Sequence, residues 1–76
     1  MRTVTLYGRP GCHLCDDARA ALERVRATVP FRLEEIDIER DDALMRRYLE
    51  RIPVVAVDGD EVAEFFVDEE AFRRNL

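Results

Sequence analysis

Two cysteines, Cys12 and Cys15, are separated by two residues in the sequence Cys-His-Leu-Cys. Two thiols at this spacing suit three kinds of chemistry. They can form a stabilising disulfide, ligate a metal, or act as a redox couple in which one thiolate attacks a disulfide and the other thiol resolves the product. The residues around the motif distinguish these interpretations.

The structural and zinc-binding interpretations fit the sequence poorly. A bridge between Cys12 and Cys15 closes a very short loop and would stabilise the fold by only about 2 kcal/mol. Small secreted domains use several long-range bridges instead. His13 is the only histidine and there is no second cysteine pair, so one chain lacks the ligands of a closed zinc site. A metal or iron–sulfur cluster shared between two chains stays open as an alternative.

The redox interpretation requires a strand before the motif and a helix after it, and the sequence predicts both. The run from Thr3 to Tyr7 is β-prone, and the glycines and proline that follow it predict a turn. From His13 onward, apolar residues recur every three or four positions, which is typical of an amphipathic helix ending at Pro30. These apolar residues are Cys15, Ala18, Leu22, Val25 and Val29.

The start of this helix predicts different roles for the two cysteines. Cys12 lies at the helix N-terminus, where unpaired N–H groups and the helix dipole stabilise a thiolate. Cys15 belongs to the apolar stripe, within reach of Cys12 but shielded from partners. We therefore predict that Cys12 is the nucleophile and Cys15 the resolving thiol. His13 is either a cation that further stabilises the thiolate or an exposed spacer, and Leu14 is a candidate partner contact.

Composition excludes several other functions. The 76 residues contain no serine and no lysine, so a serine nucleophile and a Schiff-base lysine are absent. The net charge is −5, and the 12 arginines are scattered among 17 acidic residues, which leaves no basic face for nucleic acid. No apolar run suits a membrane span and the start does not resemble a secretory signal. We expect one soluble, cytoplasmic domain over residues 1–76, acting as a monomer.

The rest of the chain predicts an α/β domain with the element order β-α-β-α-β-β-α. A second strand is expected from Phe31 to Ile38. Its alternation slips between Leu33 and Ile36, which predicts a bulge or two buried faces near its end. Asp41 should cap the second helix. The inward side chains of this helix are expected to be Leu44, Met45, Tyr48 and Leu49.

A hairpin and a short helix are expected at the end of the chain. Asp58-Gly59 predicts the turn between strands at Val54–Val57 and Glu61–Phe66. Asp68 should cap a last helix, Glu69–Leu76. Parallel pairing of the first two strands and antiparallel pairing in the hairpin give a four-stranded mixed sheet flanked by helices.

Two segments resemble the thioredoxin superfamily and, within it, the small glutaredoxin-like proteins. Residues 7–15 resemble the active-site loop of that family, and Ile52-Pro53-Val54 resembles its cis-proline segment. The similarity covers essentially the whole chain. It implies a thioredoxin-like fold, a thiol–disulfide oxidoreductase without a bound cofactor, and a cis Pro53 beside the dithiol. Ile52 would then offer its backbone to an extended substrate strand. The implied substrate-binding residues are Arg9, Pro10, Gly11, His13, Leu14, Ile52 and Pro53.

The sequence departs from the glutaredoxin pattern at positions that bear on the electron donor. Glutaredoxins carry Thr-Val-Pro where this chain has residues 51–53, and a Gly-Gly-Asp-type turn that helps hold glutathione where residues 63–68 contain no glycine. Glu64 would also repel an anionic ligand. Arg9-Pro10 resembles instead the Lys/Arg-Pro of redoxins that thioredoxin reductase reduces. Either glutathione or such a reductase is the expected donor, and a disulfide-containing protein the expected substrate.

The arginines also carry expectations, and two alternative functions stay open. Arg9 is expected to attract a carboxylate near the dithiol. Three later arginines are interpreted as solvated surface charge, namely Arg46, Arg47 and Arg51. A redox-idle adaptor with a thioredoxin-like fold and a metal or iron–sulfur carrier are the alternatives to a reductant of protein or small-molecule disulfides.

Overall fold

The order of strands and helices is as predicted, with one 3₁₀ turn added after the second strand. The computed structural model describes all 76 residues. The elements are β1 Thr3–Gly8, α1 His13–Arg26, β2 Arg32–Asp37, the 3₁₀ turn Ile38–Arg40, α2 Asp42–Tyr48, β3 Val54–Val57, β4 Asp60–Glu64 and α3 Glu69–Arg73. None of the helices combines the length and the apolar character needed to cross a membrane.

The four strands form one mixed sheet in the order β2-β1-β3-β4. β1 pairs in parallel with β2, whereas β3 is antiparallel to both β1 and β4. β1 and β4 therefore run in the same direction. Their C-terminal ends lie at one end of the sheet, together with the N-terminal end of β3. The loop that carries Cys12 leaves β1 at this end.

Helices cover both faces of the sheet. On one face, α1 and α3 pack over β1 and β3; this cluster consists of Val4, Leu6, Ala18, Leu22, Val25, Phe31, Val55, Val57 and Phe72. On the other face, α2 packs over a smaller cluster of Ile38, Tyr48 and Val54. All four residues of β3 are buried, since this strand is covered on both faces. Its unbroken Val-Val-Ala-Val run reflects that double coverage.

Local hydrogen bonds form the caps and the turn that the sequence predicts. The Asp41 carboxylate accepts the N–H groups of Ala43 at 2.8 Å and Leu44 at 3.2 Å. Asp68 caps α3 in the same way, through the N–H groups of residues 70 and 71. In the hairpin, Asp58 has φ 49° and Gly59 has φ 92°, the positive values that a tight two-residue turn requires.

The ends of α1 and β4 differ from the predictions. α1 ends at Arg26 rather than at Pro30, and a turn follows it. The Val25 carbonyl accepts the Thr28 N–H and hydroxyl, at 3.0 and 3.1 Å, and the Val29 N–H at 2.9 Å. β4 ends at Glu64 instead of Phe66, because Phe65 leaves the extended conformation with φ 70°.

Three further details refine the prediction. Of the two alternatives for β2, the bulge is wrong, since the register with β1 is continuous and the irregularity lies between β3 and β4, at Val55/Ala56. Burial on two faces fits instead, because Leu33 packs against the first cluster and Ile38, just after β2, belongs to the second. Leu49 is 40% exposed, because α2 ends one residue before it. α3 ends at Arg73, and tighter bonds to the carbonyl three residues back carry the chain on to Leu76, which still packs against the core.

Candidate active site

Cys12 and Cys15 meet at the N-terminal end of α1 and are joined in a disulfide, with their Cα atoms 5.2 Å apart. Cys12 is the N-cap residue, and its Sγ accepts the Cys15 N–H at 3.1 Å. Cys12 is half-buried, whereas Cys15 is 1% exposed. Cys12 is therefore partly in contact with solvent, whereas Cys15 is enclosed. The Cys12 sulfur lies where an anion is favoured, because the first N–H groups of a helix have no partners within the helix.

Gly11 permits the sharp entry into the helix. Its φ is +75° and nothing lies within 4 Å of the position a Cβ would take. The backbone conformation, and not a lack of space, accounts for glycine at this position.

Gly8 is a residue of the site that the sequence analysis assigned only to a turn. It is the last, buried residue of β1. A Cβ at Gly8 would lie 2.9 Å from Cys15 Sγ and 3.2 Å from Cys15 Cβ, so the bare backbone forms the surface against which Cys15 packs. A signal was present: Val4, Leu6 and residue 8 share the face of β1 that packs against α1, and glycine stands where a large apolar residue would continue the pattern.

The proline segment reaches the same end of the sheet from β3. The Ile52–Pro53 peptide bond is cis, as the resemblance implied. Tyr7 pairs with Val54, so Pro53 lies at the end of the sheet where β1 passes into the cysteine loop. The Ile52 main chain makes no hydrogen bond within the protein, whereas the Pro53 carbonyl accepts the Phe65 N–H at 2.8 Å. Ile52 thus has an N–H and a C=O free for an extended chain.

The candidate substrate-binding residues fall into two groups on either side of the dithiol. Three of them, Arg9, Pro10 and Gly11, line a cavity of about 260 Å³ that Cys15 also borders, between α1 and β2. Ile52 and Pro53 lie towards β3 and β4 and do not line it. His13 and Leu14 project from the first turn of α1, and both are exposed. Sequence proximity alone did not reveal this division.

The charged side chains of the cavity are already paired. Arg9 binds Glu39 of the 3₁₀ turn at 2.8 Å. The carboxylate that Arg9 was expected to attract is therefore Glu39 of the protein itself. Arg19 contacts Glu35 and also binds Asp16 at 2.9 Å. The hydrogen bond that Arg19 donates to Glu35, followed by the one to Asp16, raises the pKa of Arg19. These pairs hold the wall of the cavity between α1 and β2.

Two of the arginines interpreted as solvated charge also contact a buried tyrosine; Arg47 is exposed as predicted, whereas Arg51 is half-buried. The guanidinium carbons of Arg47 and Arg51 lie 5.3 and 5.1 Å from the centre of the Tyr48 ring. Both arginines bind Glu61, at 3.3 and 2.7 Å, and the Tyr48 hydroxyl donates to the same carboxylate at 3.2 Å. Burial, with the charge of Glu61 as the next cause, raises the pKa of Tyr48. Arg46 is exposed, as predicted.

This cluster connects α2 to β4 just before the proline segment. The Arg51 Nε is buried without a hydrogen bond and lies 3.7 Å from the Glu64 carboxylate. The negative charge predicted to repel anions at Glu64 is thereby partly compensated. Arg51, next to Ile52 in the chain, is held from two directions.

Comparison with known proteins agrees with this geometry. A family model described as the glutaredoxin-like domain (DUF836) matches residues 3–76. The chain belongs to this glutaredoxin-like family. No curated protein matches this glutaredoxin-like domain.

Solved structures resemble the glutaredoxin-like domain over nearly its whole length. The NMR structure of protein Ne2328 from Nitrosomonas europaea has a TM-score of 0.88 and 34% identity, covering 99% of this chain and 91% of that one. The X-ray structure of target protein XcR50 from X. campestris has a TM-score of 0.80 and 35% identity, covering 93% and 91%. A mutant thioredoxin from Halobacterium salinarum, 22% identical, shares the fold, with a TM-score of 0.68 and coverage of 96% and 69%.

The chemistry open to the glutaredoxin-like domain follows from its sulfur atoms. No group of three or more His, Cys, Asp or Glu side chains is arranged to hold a metal ion. The Cys12–Cys15 pair forms a disulfide inside a thioredoxin-like fold, and a redox role for this pair is plausible on these grounds.

Proposed function

We propose that this glutaredoxin-like domain is a thiol–disulfide oxidoreductase that reduces disulfides of proteins or small molecules. The observation that carries the proposal is the unequal exposure of the two bonded cysteines: Cys12 is half-buried at the helix N-terminus and Cys15 is 1% exposed behind it. A partner disulfide can reach only the first sulfur, and the second is positioned to attack from within.

The reaction begins with the reduced domain. The Cys12 thiolate attacks one sulfur of the substrate disulfide, breaks the S–S bond and releases the other substrate sulfur as a thiolate, which takes up a proton. Cys15 then loses its proton and attacks Cys12 Sγ. This step forms the Cys12–Cys15 disulfide and releases the second substrate thiol. Two electrons pass from the protein to the substrate, whose sulfurs take up one proton from solvent and one from Cys15, and an external thiol reductant restores the reduced protein.

The residues around Cys12 suggest how the substrate binds. The free main-chain groups of Ile52 suit an extended substrate segment, and the exposed His13 and Leu14 flank the accessible sulfur. We propose glutathione or a reductase of the thioredoxin-reductase type as the electron donor, and a monomer in the cytoplasm as the working form. No bound cofactor or nucleic acid takes part.

Replacement of each cysteine separates the two steps. Cys12→Ser should abolish reduction of 2-hydroxyethyl disulfide, because no accessible nucleophile remains. Cys15→Ser should keep the first step and accumulate the mixed disulfide, since nothing resolves it. Intact mass spectrometry during a titration in glutathione buffers reads both results and should show a reversible loss of two hydrogens in the wild type.

Some outcomes would end the proposal. Undiminished turnover by Cys12→Ser, or no reversible disulfide across the accessible potentials, contradicts an oxidoreductase. A substantial glutathione adduct on the way to the disulfide identifies glutathione as the donor, and its absence favours a reductase.

A further inference from the structure

Large apolar side chains are exposed near the dithiol. Phe66 is 69% exposed, Leu14 51% and Phe65 46%. Only two other large apolar side chains of the chain are comparably exposed, Met1 and Leu49. Two adjacent aromatic rings in water are unfavourable for a protein that covers its other aromatic side chains wholly or in part, and such patches mark interaction sites.

The topology brings these three residues to the end of the sheet where Cys12 lies. Phe65 follows the last residue of β4, which ends at the same end of the sheet as β1, with β3 between the two strands. Its N–H donates to the Pro53 carbonyl at 2.8 Å. Leu14 belongs to the first turn of α1, two residues after Cys12. We call Leu14, Phe65 and Phe66 the apolar rim.

The backbone of the rim has a left-handed conformation at Phe65, which is unfavourable for phenylalanine. Phe65 has φ 70°, a region that bulky residues rarely adopt and that glycine enters freely. The bond to Pro53 fixes one side of this turn, and the Phe66 N–H donates to the Glu64 carbonyl at 2.9 Å on the other. An aromatic residue kept in a strained and exposed position indicates a function for the ring.

An apolar cavity opens beside the rim. It has a volume of about 170 Å³ between β4 and α3, and Val62, Ala63, Phe66, Ala71 and Phe72 form most of its lining. A cavity of roughly 150 Å³ holds a benzene ring, so this one accommodates one apolar side chain of a partner.

The charges around the rim that have no partner in the protein are negative. Asp17 lies one turn along α1 from Leu14, and Glu70 belongs to the first turn of α3; both are exposed. Neither forms an ion pair. Arg51, which precedes Ile52, is paired with Glu61 and Glu64. The unpaired arginines of α3, Arg73 and Arg74, lie at its C-terminal end, away from Glu70 in the first turn. Charge complementarity therefore favours a basic partner.

We propose that the apolar rim docks an extended, basic segment of a disulfide-bearing protein, with an apolar side chain next to the reactive cysteine seated in the cavity at Phe66. The free main-chain groups of Ile52 suit an extended segment. The cavity suits an apolar side chain, and the unpaired Asp17 and Glu70 suit basic residues on either side of it. The sulfur chemistry of this docking rests on the proposed oxidoreductase function.

Two five-residue peptides with a central cysteine test the proposal. One has leucine and phenylalanine beside the cysteine and arginine at both ends; the other has glycine beside it and glutamate at both ends. Each cysteine carries 2-nitro-5-thiobenzoate as a mixed disulfide, so release of the chromophore reports the attack by reduced protein. Each rate is divided by the rate with dithiothreitol, which removes intrinsic differences between the peptides.

The wild type should prefer the apolar, basic peptide by about tenfold or more, the effect expected of one well-placed aromatic contact. Phe65→Gly should reduce the preference to less than about threefold while the fold is retained, since glycine suits φ 70°. Phe66→Ser should do the same and Phe66→Leu should restore part of it. Leu49→Ser, which changes an exposed leucine just after α2 on the other face of the sheet, is the control that should leave the preference unchanged.

The outcomes separate the two proposals. Equal normalised rates for both peptides, or a preference that Phe65→Gly and Phe66→Ser leave at its wild-type size, overturns docking while the oxidoreductase stands. If neither the peptides nor 2-hydroxyethyl disulfide reacts, the oxidoreductase fails, and docking is then decided by NMR with the first peptide carrying serine for cysteine. Amide shifts centred on the rim sustain docking, and unshifted rim amides overturn it.

Discussion

The packing of Cys15 requires glycine at position 8, because a Cβ there would lie 2.9 Å from Cys15 Sγ. The roles of Cys12 and Cys15 could be proposed from residue type and spacing, since helix position determines exposure and both residues belong to one helix start. The contact with Gly8 could not, because it joins two elements whose separation depends on the whole packing of α1 against the sheet. Residues acting within one turn of chain are predictable, and residues acting across elements much less so.

Gly8→Ala should destabilise the fold and slow resolution of the mixed disulfide. The added methyl group has to displace Cys15 Sγ, and overpacking of this kind costs about 1–3 kcal/mol. Urea denaturation measures the loss of stability, and intact mass spectrometry measures the lifetime of the mixed disulfide. Alkylation of Cys12 in the reduced protein should keep its rate.

The matched control for Gly8→Ala is the same change in a Cys15→Ala background. With the sulfur removed, the cost should fall by at least half, since Cys15 Sγ is the nearest atom to the new methyl group. An equal cost in both backgrounds would show that the strand, and not the sulfur, requires glycine.

Among the elements, the caps and the hairpin turn were predictable because they depend on neighbouring residues. Asp41, Asp68 and Asp58-Gly59 act where the sequence indicates. The ends of α1 and β4 were not predictable to the residue. The Val25 carbonyl accepts the Thr28 N–H and hydroxyl as well as the Val29 N–H, and the turn at Phe65 is fixed by a bond to Pro53, the residue before β3. A local turn therefore ends α1, and a tertiary contact ends β4.

Asp58 should give the fold a pH-dependent contribution to stability. It accepts the Thr3 N–H at 2.9 Å and binds Arg2 at 2.8 Å. The Thr3 backbone bond, followed by Arg2, lowers the pKa of Asp58. Since the folded pKa is lower than the unfolded value of about 3.9, the contribution is present above that value. It is lost as the pH falls through the folded pKa.

Asp58→Asn isolates this contribution, since asparagine also tolerates the positive φ of the turn. The free energy of unfolding of the variant, measured by urea denaturation between about pH 2 and pH 5, should vary less with pH than that of the wild type. Asp60→Asn, in the same hairpin but without an ion pair, is the control. Parallel pH profiles for wild type and Asp58→Asn would contradict the assignment.

On the scale of the whole molecule, a charged cluster around Tyr48 joins α2 to β4 and stabilises the approach to Pro53. Glu61 binds Arg47, Arg51 and the Tyr48 hydroxyl together. The class of fold, the sheet and both packed faces followed from hydrophobic patterning, but this cluster did not. Arginines on a helix surface look alike in sequence whether they are solvated or stacked on a ring, and only the position of β4 distinguishes them.

Glu61→Gln should lower the pKa of Tyr48 towards its ordinary value without fully restoring it, because burial is the larger cause of the upward shift. The raised folded pKa means that the neutral phenol contributes stability below about pH 10 that is lost as the pH rises through the folded value. Ultraviolet titration against a Tyr48→Phe reference measures the shift. An unchanged Tyr48 titration would exclude Glu61 as a cause.

The inner position of β1 and β3 has a consequence for local opening. Each is hydrogen-bonded to a strand on both sides, and the end of β1 and the start of β3 carry the cysteine loop and Pro53. Amides of inner strands generally exchange with solvent only when a large part of a domain opens. β1 and β3 are therefore expected to contain the slowest-exchanging amides of the molecule. A partner attached covalently to Cys12 should not increase the local opening of either strand.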